Sequence, residues 1–354
     1  MKNGRSLTSL AIELERQLGT KRDMIVPTGL IRHTTEPGGN TLVRVETPQG
    51  LQRLPTTENF RRQLAEKLRI PFAYFERMRL EQPALLDRNV DTWLHQEPEL
   101  RLVRTLDGHA RAFLSDRYRR LDNYNLAEHV LPMLQRLPEA RVESVELTAS
   151  RMYLKVITPR VATEIQPGDV VQAGVVVSNS ETGEGTLSVQ PLLYRLVCTN
   201  GLIVQDRSLR KTHVGRCLDA SLDEVTLFKD DTLAADDRAF FLKVRDVVEA
   251  AVSEATFLQA AERMRKTLGI KLTGNPVASV ETLGMRFLLN EQERTGVLRF
   301  LIEGGDLSGY GLVNAVTRFA QDVESYDRAT ELEALGGKLI AQTAPEWRTL
   351  AEAA

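Results

Sequence analysis

LRLVRTLDGHARAFL, residues 100–114, changes side-chain character at every second position on both sides of Asp107-Gly108. A period of two marks a strand, and Asp-Gly between two such runs is a strong signal for a two-residue hairpin turn. A turn of that length fixes the pairing: Leu106 opposes His109, Arg104 opposes Arg111 and Leu102 opposes Phe113. Side chains alternate along a strand, so these six share one face. Arg101, Val103, Thr105, Ala110, Ala112 and Leu114 take the other, which is mostly small and apolar and is the expected core side.

More strand pairs follow downstream. Val142–Thr148 pairs with Met152–Ile157, and Val170–Asn179 with Thr186–Val197 around a Ser180–Gly185 loop; Asn200-Gly201 then turns the chain into Leu202–Val204. Asn125-Leu-Ala-Glu128 opens a helix to about Leu134 with a capping-box pattern. Upstream, a helix is expected over Leu7–Leu18, then strands Met24–Val26 and Leu42–Glu46 on either side of a Pro37-Gly38-Gly39-Asn40 loop. Helices Glu58–Leu68, Phe72–Met78 and Leu85–Leu94 come next, with Pro71 suited to a first turn. From about Asp223 the spacing is helical: Leu233–Ala250, Phe257–Thr267, Val280–Leu289, Glu291–Ile302 and Gly311–Ala334, the last ended by Leu335-Gly336-Gly337. The expected class is α+β, an antiparallel hairpin-rich sheet with flanking helices and a helical C-terminal region. Its expected parts are strands and helices over 1–99, a β-rich core over 100–222, and helices over 223–354.

Of 354 residues, 42% are apolar and 27% charged, enough to build ordinary cores. The first twenty residues carry charge throughout and lack the apolar centre of a secretory signal. No apolar run reaches the roughly 18 residues of a spanning helix. Cys198 and Cys217 are too few for a disulfide framework or a four-ligand zinc site, so reduced thiols and a cytoplasmic setting are expected. Net charge is +2 over residues 1–99, +4 over 100–216 and −8 over 217–354, which allows an anionic partner in the middle without requiring one.

Arginines directly across a hairpin repel unless an anion lies between them. A phosphate would relieve Arg104 and Arg111, and Phe113 and His109 beside them would stack on bases, as suits a single strand on a sheet. The alternative is an internal carboxylate, with Asp116 as the candidate. Arg117, Tyr118, Arg119 and Arg120 cluster just downstream, as a phosphate-contacting corner or a solvated turn. Arg195 precedes a basic arm holding Arg207, Arg210, Lys211, His213 and Arg216, which reads either as phosphate-binding or as a loop neutralised by the acidic C-terminal third.

Catalytic patterns are sparse. The five histidines lack metal-ligand spacing, there is no Gly-x-Ser-x-Gly elbow, and Gly183 and Gly185 lie in a hairpin with no following lysine or helix. That glycine loop reads as a bent hairpin tip. Cys198 with His213 is a weak nucleophile pair, since Leu196 and Val197 read as core strand. Asp116, Asp122 and Glu181 would need to converge to hold Mg²⁺ for a nuclease or other hydrolase. ENFRRQLAEKLRIPFAYFERM, residues 58–78, imitates a helix-turn-helix with Tyr74 and Arg77 on the second helix; two packed amphipathic helices are the simpler reading, given Pro71 at the turn and a short second helix.

RAFLSDRYRRLDN (111–123), AGVVVSNSETGEGTLSV (173–189), YRLVCTNGL (194–202) and GLVNAVTRFAQDVESYDRATELEALGG (311–337) together resemble the phage/plasmid-like family known as domain of unknown function 932. The resemblance spans most of residues 55–340. It implies a protein carried by phages, plasmids and integrated elements, with no assigned activity and no catalytic residue to carry over. A fold-level analogy extends to Rad52-like single-strand annealing recombinases, which also build a hairpin-rich sheet with a basic groove. In the last block Tyr310, Asn314, Arg318, Asp322, Tyr326 and Arg328 recur at helical spacing, which reads as an interhelical polar lock.

The leading expectation is a single-stranded DNA binding or annealing protein of a mobile genetic element, serving recombination, and not an enzyme. Arg104, Arg111, Phe113, Tyr118, Arg120, Arg207, Arg210, Lys211 and Arg216 are the expected strand contacts. No cofactor or metal is required, no membrane partner is expected, and a homo-oligomer is allowed. The alternatives are a metal-dependent nuclease and a helix-turn-helix regulator or adaptor.

Overall fold

The computed structural model describes residues 1–353 except Gln49, Arg119 and 205–229 and, of residues 230–234, 236 and 237, the backbone only. The chain is α+β. Its contacts gather into two units that interleave in sequence: a smaller one of Ala11–Tyr124 with Ser180–Gly185, and a larger one of Met1–Leu10, Asn125–Asn179 and Thr186–Ala354. Helices α1 (Leu7–Thr20) and α5 (Asn123–Gln135) each contribute residues to both.

The smaller unit holds two three-stranded antiparallel sheets. One has the order β1 (Arg22–Pro27), β5 (Leu100–Leu106), β6 (His109–Ser115); the other runs β2 (Ile31–Thr35), β3 (Thr41–Thr47), β4 (Gly50–Pro55). Helices α2 (Glu58–Lys67), α3 (Phe72–Glu81) and α4 (Pro83–Gln96) lie in sequence between β4 and β5. Ile31, Val43, Val45 and Leu54 turn one face of β2–β3–β4 into a core shared with Phe60, Leu64, Phe75, Leu86 and Val90 of the helices and with Val103 and Phe113. β2 is an edge strand, and α4 closes that edge: Asp91 accepts the His33 N–H at 2.8 Å and Asp87 accepts the Thr35 N–H at 2.9 Å. Covering an edge in this way removes a template for unwanted strand pairing. β2 and β4 are additions to the sequence reading, which had only β3 in this region.

The Asp107-Gly108 hairpin forms as expected, with φ of 50° and 75° at the two turn residues, the signature of the primed turn that matches strand twist. Its register departs from the expected one. Leu106 does pair with His109, but a bulge then intervenes, so that Arg104 lies opposite Ala112 and Val103 opposite Phe113. Arg111 is the extra residue. A bulge re-aims side chains and lets like charges escape one another, and here it separates the two guanidinium groups that a regular ladder would have placed face to face.

The larger unit is built on an antiparallel meander of order β11 (Asn200–Ile203), β10 (Ser188–Arg195), β9 (Val170–Asn179), β8 (Met152–Glu164), β7 (Arg141–Leu147). Among the described residues seven helices follow: α6 (Asp230–Ala251), α7 (Glu254–Lys266), α8 (Pro276–Phe287), α9 (Glu291–Gly304), α10 (Gly309–Phe319), α11 (Tyr326–Ile340) and α12 (Ala344–Ala351). The helix expected over Gly311–Ala334 is therefore two, with Ser325 capping the start of α11 by accepting the Arg328 N–H. Gly336 and Gly337 do not end α11 but lie inside it. A Cβ on Gly337 would collide with the Ile203 carbonyl; glycine is what lets the helix backbone approach β11. The polar lock expected between helices is interhelical only at Arg328, which pairs with Glu293 at 2.6 Å; Tyr310 reaches Asp169 beside β9, Tyr326 bonds Ser144 of β7 at 2.7 Å, and Arg318 pairs locally with Asp322 at 3.5 Å. Among the described residues no helix is long and apolar enough to cross a membrane.

Candidate nucleic-acid interface

The expected contacts divide sharply by position. Arg104 is fully buried. Asp23 lies directly across from it on β1, and the two pair at 2.9 Å. Its guanidinium also meets Asp122 and donates to the Glu181 carbonyl at 2.9 Å. Arg111 is neutralised separately by Glu181, at 2.5 Å. The anion expected between opposed arginines is thus replaced by three internal carboxylates, and Asp116 is not one of them. Phe113 is 3% exposed and packs against Phe60 with ring centroids 5.5 Å apart, so it is a core residue without a face for a base.

Glu181 organises this cluster from within the Ser180–Gly185 segment, which was expected as a plain hairpin tip. Ser180, Glu181 and Thr182 are all buried. The Glu181 carboxylate accepts from Lys21 at 2.5 Å and from the Asn123 N–H at 2.6 Å besides Arg111, while Asn59 and Gln63 donate to the Thr182 carbonyl. Burial works against its charge, but Arg111 and Lys21 prevail and hold its pKa below the ordinary glutamate value. Asp122 is lowered likewise, burial being outweighed by Arg104. With both carboxylates given to cations, the Asp116, Asp122 and Glu181 set is not arranged for Mg²⁺, and among the described residues no group of His, Cys, Asp and Glu could hold a metal ion.

Tyr118 is partly buried and its hydroxyl donates to the Ser180 carbonyl at 3.3 Å. Arg120 is exposed, 3.7 Å from Asp23. Arg207, Arg210, Lys211, His213, Arg216 and Cys217 lie outside the described residues. Arg195 is held by Asp169 at 2.6 Å, and its Nη1 lies 3.3 Å from the Cys198 sulfur.

A row of opposed arginines does exist, on β3 and on the two neighbouring strands, β2 and β4, that the sequence alone did not show. Arg32 of β2 lies directly across from Arg44 of β3, and Arg44 directly across from Arg53 of β4. Residues in register share a face, so the three guanidinium groups stand side by side on the outer face of the sheet, opposite the core. With strands about 4.8 Å apart the row spans about 10 Å. Arg32 and Arg53 are exposed and Arg44 is half-buried. Among the described residues none of the three makes an ion pair with a carboxylate; Arg32 rests against the His95 ring, and the Arg44 Nε is buried with no acceptor. Glu46, two residues along β3 on the same face, pairs with none of them. Leu42 and the 57% exposed Leu51 flank the row on either side. The signal was present in the sequence as one arginine per strand among alternating Ile31, His33, Val43, Val45 and Leu54, but three short strands had to be seen together to find it.

Comparison with known proteins adds one match. Residues 112–287 fit the family model described as a domain of unknown function, DUF932. No curated protein and no solved structure matches the chain.

Proposed function

We propose that the protein binds single-stranded DNA, as a binding or annealing factor of a mobile genetic element acting in the cytoplasm, and that the strand lies along the outer face of β2–β3–β4. The Arg32–Arg44–Arg53 row carries this reading. Like charges held in register are costly without a counter-charge, and a buried guanidinium N–H without an acceptor is a further cost. A run of backbone phosphates supplies both the charge and the acceptors. Leu42 and Leu51 offer apolar surface to unstacked bases or sugars, which a paired duplex does not present. No aromatic side chain stands on this face in register with the row, so affinity is expected to come from phosphates and to depend little on base identity. Arg120, Arg207, Arg210, Lys211 and Arg216 are proposed as further phosphate contacts on their charge alone. The phage and plasmid setting implied by the family resemblance suits such a role.

Fluorescence anisotropy with labelled oligo(dT) tests it. Three phosphates on a single strand give a slope of log affinity against log salt of about −2, or roughly a twenty-fold loss between 50 and 200 mM salt. Arg44→Gln with Arg53→Gln should cut affinity at least tenfold and flatten that slope. Absence of binding at low salt, or binding indifferent to both substitutions, would defeat the proposal.

A further inference from the structure

The α2–α3 pair packs on the core face of β2–β3–β4, away from the arginine row. Four residues, Leu68–Pro71, join the two helices. Arg69 adopts a left-handed conformation, φ 56°, a place where L residues are disfavoured and glycine is usual. The turn is held by the Leu68 N–H on the Leu64 carbonyl at 3.0 Å and the Ile70 N–H on the Ala65 carbonyl at 2.8 Å. Ala65 is fully buried, and a small residue there lets α3 pack closely over α2. Leu64, Ile70, Phe75 and Met78 close the pair beneath. A short turn with one left-handed residue, a small residue in the first helix and a buried apolar seam are features that a helix-turn-helix shares.

Both objections from sequence fall away. Pro71 sits just before the first turn of α3, where its missing N–H forfeits no helix bond. α3 is ten residues long, not seven, and extends to Glu81. Its outward side presents Ala73, Tyr74 and Arg77, all exposed, at the spacing of one helix face. Among the described residues Arg77 pairs only with the neighbouring Glu81, in solvent, at 2.8 Å. Arg69 has no carboxylate partner among the described residues, while Arg62 lies over the Phe72 ring at 4.3 Å and pairs at the surface with Glu58, one turn back on α2, at 2.6 Å. Residues 58–81 carry six basic and four acidic side chains, and Arg61 and Arg79 both serve Glu76 internally.

We infer that α3 enters the major groove of duplex DNA, with Tyr74 and Arg77 reading base edges and Arg62 and Arg69 contacting the flanking phosphates. Exposed polar side chains on a rigid helix read bases, while cations beside it fix register on the backbone. This surface lies on the helices that pack the core face of β2–β3–β4, whereas the arginine row occupies the opposite face. The two are therefore separable by mutation.

The test is selection of the full-length protein against a randomised duplex library, followed by anisotropy on the enriched duplex and on oligo(dT). Tyr74→Ala and Arg77→Ala, each on an exposed side chain, should keep the parent melting temperature. They are expected to weaken the selected duplex at least tenfold and leave oligo(dT) within twofold. Arg44→Gln should do the reverse. Failure to enrich any duplex sequence, or full duplex affinity in both α3 variants, overturns the inference. Loss of oligo(dT) binding alone bears only on the arginine row.

Discussion

Replacing Arg104 by Met tests whether this arginine is structural or ligand-binding. Met keeps the length and apolar stem but removes every donor. In the parent, the fully buried guanidinium satisfies Asp23, Asp122 and the Glu181 carbonyl. Removing one partner of a buried pair costs about 3–5 kcal/mol, because the remaining charge is left uncompensated. The orphaned Glu181 carbonyl adds to this, while two features pull it back. The Asp122 side chain is 26% exposed and can rehydrate, and Arg120 lies 3.7 Å from Asp23 and can take over part of the pairing. The expected loss is therefore about 3 kcal/mol, or on the order of a hundredfold in the opening equilibrium. Hydrogen exchange of peptides covering residues 100–115 reads that opening directly, together with denaturant unfolding of the whole chain. Arg117→Met, at an exposed neighbour, should stay within about 0.5 kcal/mol of the parent. A loss below about 1 kcal/mol for Arg104→Met, accompanied by a large drop in oligo(dT) affinity, would refute the structural assignment and return Arg104 to the strand.

Three further outcomes follow from buried charge and close packing. Glu181 has a lowered pKa in the folded state, so its contribution to stability is full above its ordinary value near 4.5 and is lost as pH falls through the lower folded value; Glu181→Gln should flatten the acid limb of a melting-temperature profile and lower the plateau above it. In the larger unit, Lys155 and Glu333 form a 2.6 Å pair in which both side chains are fully buried. Lys155→Met alone should cost about 3–5 kcal/mol in denaturant unfolding, whereas Lys155→Met with Glu333→Leu should recover most of it. Gly337→Ala, whose added methyl group would strike the Ile203 carbonyl, should destabilise by about 2 kcal/mol or more, in contrast to Gly19→Ala, where no atom lies within 4 Å.

Period and turn chemistry made most of the elements legible. Asp107-Gly108 announced its hairpin because only a primed turn wants positive φ at two successive residues, and the strands from Arg141 to Ile203 stood out as long apolar alternations. Where the reading failed, the cause was non-local. Nothing in residues 100–115 says that β6 will carry a bulge, because the bulge is stabilised by Glu181, seventy residues away from Arg111. Gly336-Gly337 looked like a helix end because glycine usually stops helices; its reason for being there is a neighbouring strand. β2 and β4 were missed because Arg32 and Arg53 interrupt short apolar runs, although on an open sheet face such interruptions are what period two requires.

Like charges in register need a remedy, and Arg104 and Arg111 find theirs inside the fold. A protein can relieve opposed arginines by bulging the strand, by supplying carboxylates, or by leaving the charge for a ligand. At Arg104 and Arg111 it uses the first two together, and the result is an anchored core with no vacancy for an anion. At Arg32, Arg44 and Arg53 it uses neither: the ladder is regular through all three strands, Glu46 stands off, and the central Nε has no acceptor. A regular register with uncompensated charge costs stability that evolution removes easily, by a single Arg→Thr or Arg→Gln on a solvent-facing strand. Its presence on three adjacent strands is therefore better explained by the anionic ligand proposed for it than by what it holds together.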